Sequence, residues 1–283
     1  MKIDLSNKQI KKSDRDECRR LLKIMNRIQK PDIEKMWYIL DFVWDEMNCN
    51  NRDLNSNTIA KFYAHPVWLL NGLFIEQDKE SMSNRVAYCK WIVSSGSKRI
   101  LDYGGGFGTL AVLISKKSKE CSIDIFEPFP SEFALRRCKS FENISFINQL
   151  PKQDYDCLAS TSVLEHLQDP LVDFYEMIKS VKPNGFLVMQ NAFDRKIKCH
   201  LPQNLHFRYT FNLFAWMMGL GISGRIKGSC TTIFVKRRDI KPNWERIRFF
   251  EQLSKRIFPL LDLVRIIVKP FLKPILKSLK LID

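Results

Sequence analysis

No stretch of this 283-residue chain reaches the ~18 consecutive apolar residues that a membrane-spanning helix requires. Its eight cysteines stand singly, without C-x-x-C or any metal-ligand spacing, which excludes a disulfide framework and a zinc module. No secretory leader pattern opens the chain, so reduced, mostly buried thiols in a cytoplasmic protein are expected. Internal repeats and low-complexity tracts are absent too, leaving one main domain with room for additions at both ends. Histidine is scarce at four residues, yet three of them, His166, His200 and His206, fall in one stretch. Acidic residues number 31 against 46 basic ones, for a formal charge of +15.

Glycine is sparse as well, eleven in all, but Gly104, Gly105, Gly106 and Gly108 crowd into a single turn. The segment from Arg99 to Leu110 (RILDYGGGFGTL) reads as a buried strand, that turn, and the start of a helix. Glycines tolerate positive φ and let a ligand approach the backbone where a Cβ would clash. The helix start offers unpaired N–H groups, and Asp102 is expected to supply a fixed negative charge. A nucleotide-like ligand is the implied occupant. The spacing departs from the dinucleotide pattern G-x-G-x-x-G, and no Gly-Lys-Ser/Thr follows, which excludes a P-loop. A second strand, Cys121 to Glu127, ends in a carboxylate 19 residues past Gly108. A carboxylate at that place can accept from both hydroxyls of a ribose in charge-assisted hydrogen bonds.

The glycine segment resembles the first motif of the class I S-adenosylmethionine-dependent methyltransferases. The resemblance continues in order through Glu127, through Tyr155 to Pro170 (YDCLASTSVLEHLQDP), and through Val181 to Asn191 (VKPNGFLVMQN). It implies an α/β, Rossmann-like fold: a seven-stranded, mostly parallel sheet with helices on both faces. S-adenosylmethionine is the implied cofactor, held by Asp102, Gly104, Gly105, Gly106, Gly108, Glu127, Asn148, Ser160 and Thr161. Many relatives place an aspartate after the third strand, where this chain has Asn148-Gln-Leu, so the adenine contact is left open. Gly219 to Lys236 reads as a hairpin closing the sheet. These limits predict a helical cap over residues 1–94, a cofactor-binding domain over 95–238 and a tail over 239–283. His65, before Pro66, is expected to be structural.

Charge is concentrated at the two ends. Residues 1–30 and 241–283 each carry ten basic and four acidic side chains. The tail interleaves apolar residues from Ile257 to Leu279 with Arg256, Arg265, Lys269, Lys273, Lys277 and Lys280, and Pro259, Pro270 and Pro274 are expected to break it into short helices. It is expected to lie on an anionic membrane surface, at the inner face of the cytoplasmic membrane, to pack on the domain, or to join a second copy.

Methyl transfer is an in-line displacement, and an alcohol acceptor must also lose its proton. His166 is the first candidate base, with His206 and Tyr209 in a segment, Cys199 to Thr210, that would wall the acceptor site. Ubiquinone-pathway O-methyltransferases are similar around E-x-x-E-H, where two glutamates and the histidine hold a metal. Here Ser162 replaces the first glutamate, so no required metal is expected. An N/D-P-P-Y/F turn and a positioned nucleophilic cysteine are both missing, and Cys157 is expected to be buried in its strand. Nucleic acid is therefore not an expected partner. The wider chain resembles bacterial methyltransferases of surface-polysaccharide and sugar pathways. The implied acceptor is a sugar or lipid-linked glycan. A quinone- or polyketide-like small molecule and a non-catalytic scaffold stay open.

Overall fold

A computed structural model describes residues 3–51 and 56–278. Five helices precede the sheet: α1 (Lys12–Met25), α2 (Asp32–Glu46), α3 (Ser56–Tyr63), α4 (Pro66–Gln77) and α5 (Lys79–Ser94). Strands and helices then alternate: β1 (Arg99–Tyr103), α6 (Thr109–Lys117), β2 (Ser122–Phe126), α7 (Glu132–Cys138), β3 (Ile144–Ile147), β4 (Tyr155–Thr161), α8 (Pro170–Ser180) and β5 (Val181–Gln190). The chain ends with α9 (Phe207–Met217), β6 (Leu220–Arg225), β7 (Thr232–Lys236) and α10 (Trp244–Ser278). The seven strands are ordered β3-β2-β1-β4-β5-β7-β6. β1 to β5 run parallel, while β7 is antiparallel to both β5 and β6.

Local chemistry explains most boundaries. The Asp169 carboxylate accepts the Val172 N–H at 3.3 Å, with Pro170 in the first turn of α8, and Ser131 caps α7 by accepting from Ala134 N–H. His65 caps α4, its Nδ1 accepting the Val67 N–H at 3.1 Å, the structural role expected of it. Central strands buried on both faces are near-continuously apolar, as Ile100 and Leu101 in β1 and Cys157 and Leu158 in β4 illustrate.

The strand order reverses between β1 and β4, so the loops at the carboxyl ends of these strands enclose the crevice where ligands of such sheets bind. The N-terminal helices pack around their own core, which includes Met36, Ile39, Val43 and Leu70. That core also takes in Phe133 of α7 and Cys199 of the loop after β5. The helical layer is thereby anchored on both sides of the crevice.

One expectation fails at the tail: α10 is a single helix running through Pro259. A proline removes one N–H and clashes with the carbonyl one turn earlier, at a cost of ~3 kcal/mol, which bends a helix with good turns on either side rather than ending it. Ile247, Glu251 and Ser254 are buried, whereas Leu263 to Val268 are all exposed.

Candidate functional site

The turn after β1 depends on missing side chains. Gly104, Gly106 and Gly108 all have positive φ, at 70°, 47° and 75°. A Cβ on Gly104 would run into Val163, and one on Gly108 would come within 2.7 Å of the Cys138 sulfur. Gly108, left-handed, caps α6, so the first N–H groups of that helix face the crevice.

Glu127 closes the far side of this turn. Its Oε2 accepts the Gly106 N–H at 3.0 Å and its Oε1 accepts the Phe129 N–H at 3.1 Å. Each oxygen keeps a further lone pair for a diol. Burial raises the Glu127 pKa above the ordinary carboxylate range, while the two N–H donors hold it back.

Asp102 does not carry the fixed charge expected of it. It is buried beneath the turn, and burial raises its pKa to about 7 against the opposing pull of Arg85 and the Ala111 N–H. Its Oδ2 has no hydrogen-bond partner. Arg85, on α5, carried no signal in the sequence that would have linked it to Asp102.

Asn148 is exposed just past β3, at the same edge of the sheet. Ser160 is fully buried near the end of β4, its hydroxyl unpartnered, and Thr161 follows it half-buried. Ser162, next in line, holds a φ of 54°, a conformation that costs a non-glycine residue energy and redirects the chain.

Beyond this bend Glu165 and His166 form a short 3-10 turn. Two backbone-directed stitches fix it against the loop after β5. The Leu201 N–H donates to the Glu165 carbonyl at 2.9 Å, and the Asn204 amide donates to the Leu167 carbonyl at 2.8 Å. His200 is thereby brought beside His166, with ring centroids 4.9 Å apart. Burial and His200 together depress the pKa of His166 to about 3. For His200 burial acts in the same direction, but Asp194 and Glu165 outweigh it and raise the pKa.

An aromatic wall links this turn to Glu127. The Tyr63 ring stacks on Trp68 at 5.3 Å and on Phe129 at 6.1 Å, and both Tyr63 and Trp68 meet the His166 ring edge-on. The buried indole N–H of Trp68 has no partner. Only the fold brings Tyr63, Trp68 and Phe129 together.

His206 and Tyr209, expected near the acceptor, are occupied elsewhere. His206 is buried with its Nδ1 at 2.8 Å from the Ser254 hydroxyl, and the Tyr209 hydroxyl donates to Asp262 at 2.9 Å. Both partners lie on α10, because Phe207 begins the helix α9 that α10 covers.

Residues 74–214 match a family model described as a methyltransferase domain. This region is a class I S-adenosylmethionine-dependent methyltransferase domain. The ubiquinone biosynthesis O-methyltransferase of Hydrogenovibrio crunogenus is 27% identical over 128 residues, covering 41% of this chain and 52% of that protein. The chain thus spans about half the length of that curated relative. Among solved structures, the CurJ carbon methyltransferase has a TM-score of 0.48 at 12% identity, covering 66% of this chain and 59% of its own. A SAM-dependent methyltransferase from Aquifex aeolicus has a TM-score of 0.45 at 14% identity, covering 58% and 97%. S-adenosylmethionine is the cofactor of this methyltransferase domain.

Two outcomes are expected. Gly104→Ala should lose about 2–4 kcal/mol in urea unfolding and lose S-adenosylhomocysteine binding, because left-handed strain adds to overpacking. Gly96→Ala, with φ of 77° but open space around it, should lose only about 1–2 kcal/mol and bind normally. Glu127→Ala should weaken S-adenosylhomocysteine by about 2–3 kcal/mol in isothermal titration, through two lost charge-assisted hydrogen bonds. In the unaltered protein affinity should hold above the Glu127 pKa and fall as acid protonates it. The fall should begin at a higher pH than for an ordinary glutamate.

Proposed function

We propose that this protein transfers the methyl group of S-adenosylmethionine to a hydroxyl of a sugar or lipid-linked glycan. One arrangement carries the proposal: the glycine turn with Glu127, and the turn holding His166, face each other across the wall of Tyr63, Trp68 and Phe129. In this reading the backbone N–H groups of the turn and Glu127 hold the donor, with Asn148, Ser160 and Thr161 along the same edge. Flat aromatic faces take the apolar side of a sugar ring, and the unpartnered Trp68 N–H donates to one of its oxygens.

In the displacement the acceptor oxygen attacks the sulfonium methyl carbon as the carbon–sulfur bond breaks. The protein's task is to align the two. The hydroxyl proton is handled by the cluster around His166, with Glu165 and His200 beside it.

A second reading, a small quinone- or polyketide-like acceptor methylated on oxygen or carbon, is favoured by the same aromatic wall and by the ubiquinone-pathway activity named for the relative. Purified protein with methyl-labelled S-adenosylmethionine should label sugar nucleotides or lipid-linked glycans and leave catechols and other phenols unlabelled. Labelled phenols alone would establish the second reading. Tight donor binding without transfer to any acceptor would leave a scaffold.

The tail supports work at a lipid surface, at the inner face of the cytoplasmic membrane. Among the described residues no helix is long and apolar enough to cross a membrane. The outer part of α10 exposes Leu260, Leu263, Ile266 and Ile267 next to Arg256 and Arg265. Apolar side chains with basic ones beside them suit the interface of an anionic bilayer. Vesicles containing phosphatidylglycerol should carry the protein up a flotation gradient, and the double change Leu260→Glu with Ile267→Glu should leave it at the bottom. Equal flotation of the two would remove the membrane contact. A concentration-dependent dimer abolished by the same change would assign this face to a second copy.

A further inference from the structure

We propose that Glu165, His166 and His200 form a binding site for a single zinc-like divalent cation, a site whose third ligand comes from outside the sequence motif. One donor atom from each of the three residues lies within 4.8 Å of the other two. Small side-chain rotations close that separation onto a cation at about 2.1 Å.

Hydrogen bonds around the cluster point the donors inward. The His166 Nδ1 lies 3.1 Å from the Cys199 carbonyl, and the His200 Nδ1 lies 2.8 Å from the Asp194 carbonyl. A carbonyl can only accept, so in the neutral rings both Nδ1 atoms carry the proton and both Nε2 atoms keep a free lone pair. This is the outer-shell arrangement that orients metal-ligating histidines. Glu165 is 1% exposed; its Oε1 accepts the Ala192 N–H at 2.9 Å, while its Oε2 has no hydrogen-bond partner. The Ser162 hydroxyl, at the position where the related motif has a glutamate, donates to Gln190 at 3.1 Å instead. A buried carboxylate oxygen without a partner is expensive to maintain, and a cation satisfies it.

The donor set selects the ion. Magnesium prefers oxygen ligands, whereas two imidazoles and one carboxylate suit zinc or cobalt, with a position left open for substrate. The loop bearing His200 is already held in place. The Lys198 N–H donates to Asp41 at 2.6 Å, and the Lys198 ammonium pairs with Asp45, both on α2. The expectation that no metal is needed rested on the loss of one oxygen ligand, and His200 replaces it with nitrogen.

The role of the ion rests on the proposed methyl transfer, but its binding does not. An acceptor hydroxyl taking the open position is acidified and releases its proton to solvent, so with the ion bound the cluster handles the proton by acidifying the hydroxyl and not through a histidine base. The resulting alkoxide oxygen forms a bond to the methyl carbon as the carbon–sulfur bond breaks, yielding methyl ether and S-adenosylhomocysteine.

The test uses the full-length protein, stripped with chelator and titrated with cobalt(II) and zinc. One equivalent of cobalt should bind and give visible d–d absorption that zinc displaces. His200→Ala and Glu165→Gln should each weaken zinc by about 100-fold or more, at least the effect of losing an outer-shell partner. S-adenosylhomocysteine affinity, measured alongside, should stay unchanged in His200→Ala, and a cooperative thermal transition should show that the fold survives. Absence of stoichiometric cobalt binding to folded protein, or unaltered zinc affinity in folded His200→Ala, would overturn the site. Zinc binding without methyl transfer to any acceptor would keep the site and remove the functional reading. Transfer that is indifferent to chelation, with no zinc bound, would do the reverse.

Discussion

The close approach of other residues to the glycine turn is the constraint on which the rest of this structure depends. With Val163 against Gly104 and Cys138 against Gly108, no side chain could stand at either position without moving β4's loop or α7. Because the turn is bare, Gly106 can reach Glu127 and α6 can begin where its free N–H groups face the crevice. The same tightness places Val163, and therefore the turn that follows it, directly beside the proposed donor site. In the proposed function donor and acceptor chemistry share one edge of the sheet, because a parallel sheet presents all its carboxyl ends there.

Rigidity at that edge comes from polar contacts between loops. Asn204 and the Leu201 N–H bind the loop after β5 to carbonyls of the turn after β4, and Lys198 ties the same loop to α2. On the other side Glu76 of α4 receives hydrogen bonds from Thr109 at the start of α6 and from Arg137 of α7. The helical layer is thus clamped to both halves of the crevice. All of these contacts join residues more than thirty positions apart, so each depends on the sheet having formed.

Burial redistributes charge in ways that residue type alone does not announce. Asp102 titrates near neutrality rather than standing as a fixed anion, because its carboxylate is taken out of water and Arg85 and the Ala111 N–H offset only part of that cost. The two adjacent histidines diverge for a similar reason: His166 has a backbone carbonyl as its partner, while His200 has the carboxylates of Asp194 and Glu165 nearby.

The alternation of strands and helices from β1 to β5, the glycine turn, the acid at the end of β2 and the buried Cys157 could all be read from the sequence. These depend on local periodicity, on backbone sterics and on spacing along one βαβ unit, and such signals are contiguous in the chain. The partners of His166, His206 and Tyr209 could not be read, because those pairings run between elements distant in sequence. Phe207 starts a helix that α10 covers, which pairs His206 with Ser254 and Tyr209 with Asp262; the stitched loops bring His200 beside His166. Pro259 likewise looked like a helix end from local chemistry, and the cooperativity of the turns around it carried α10 through. Sequence determined the scaffold and the position of the donor turn, and only tertiary structure decided which side chains meet across it, since contact between distant residues is set by packing and not by spacing.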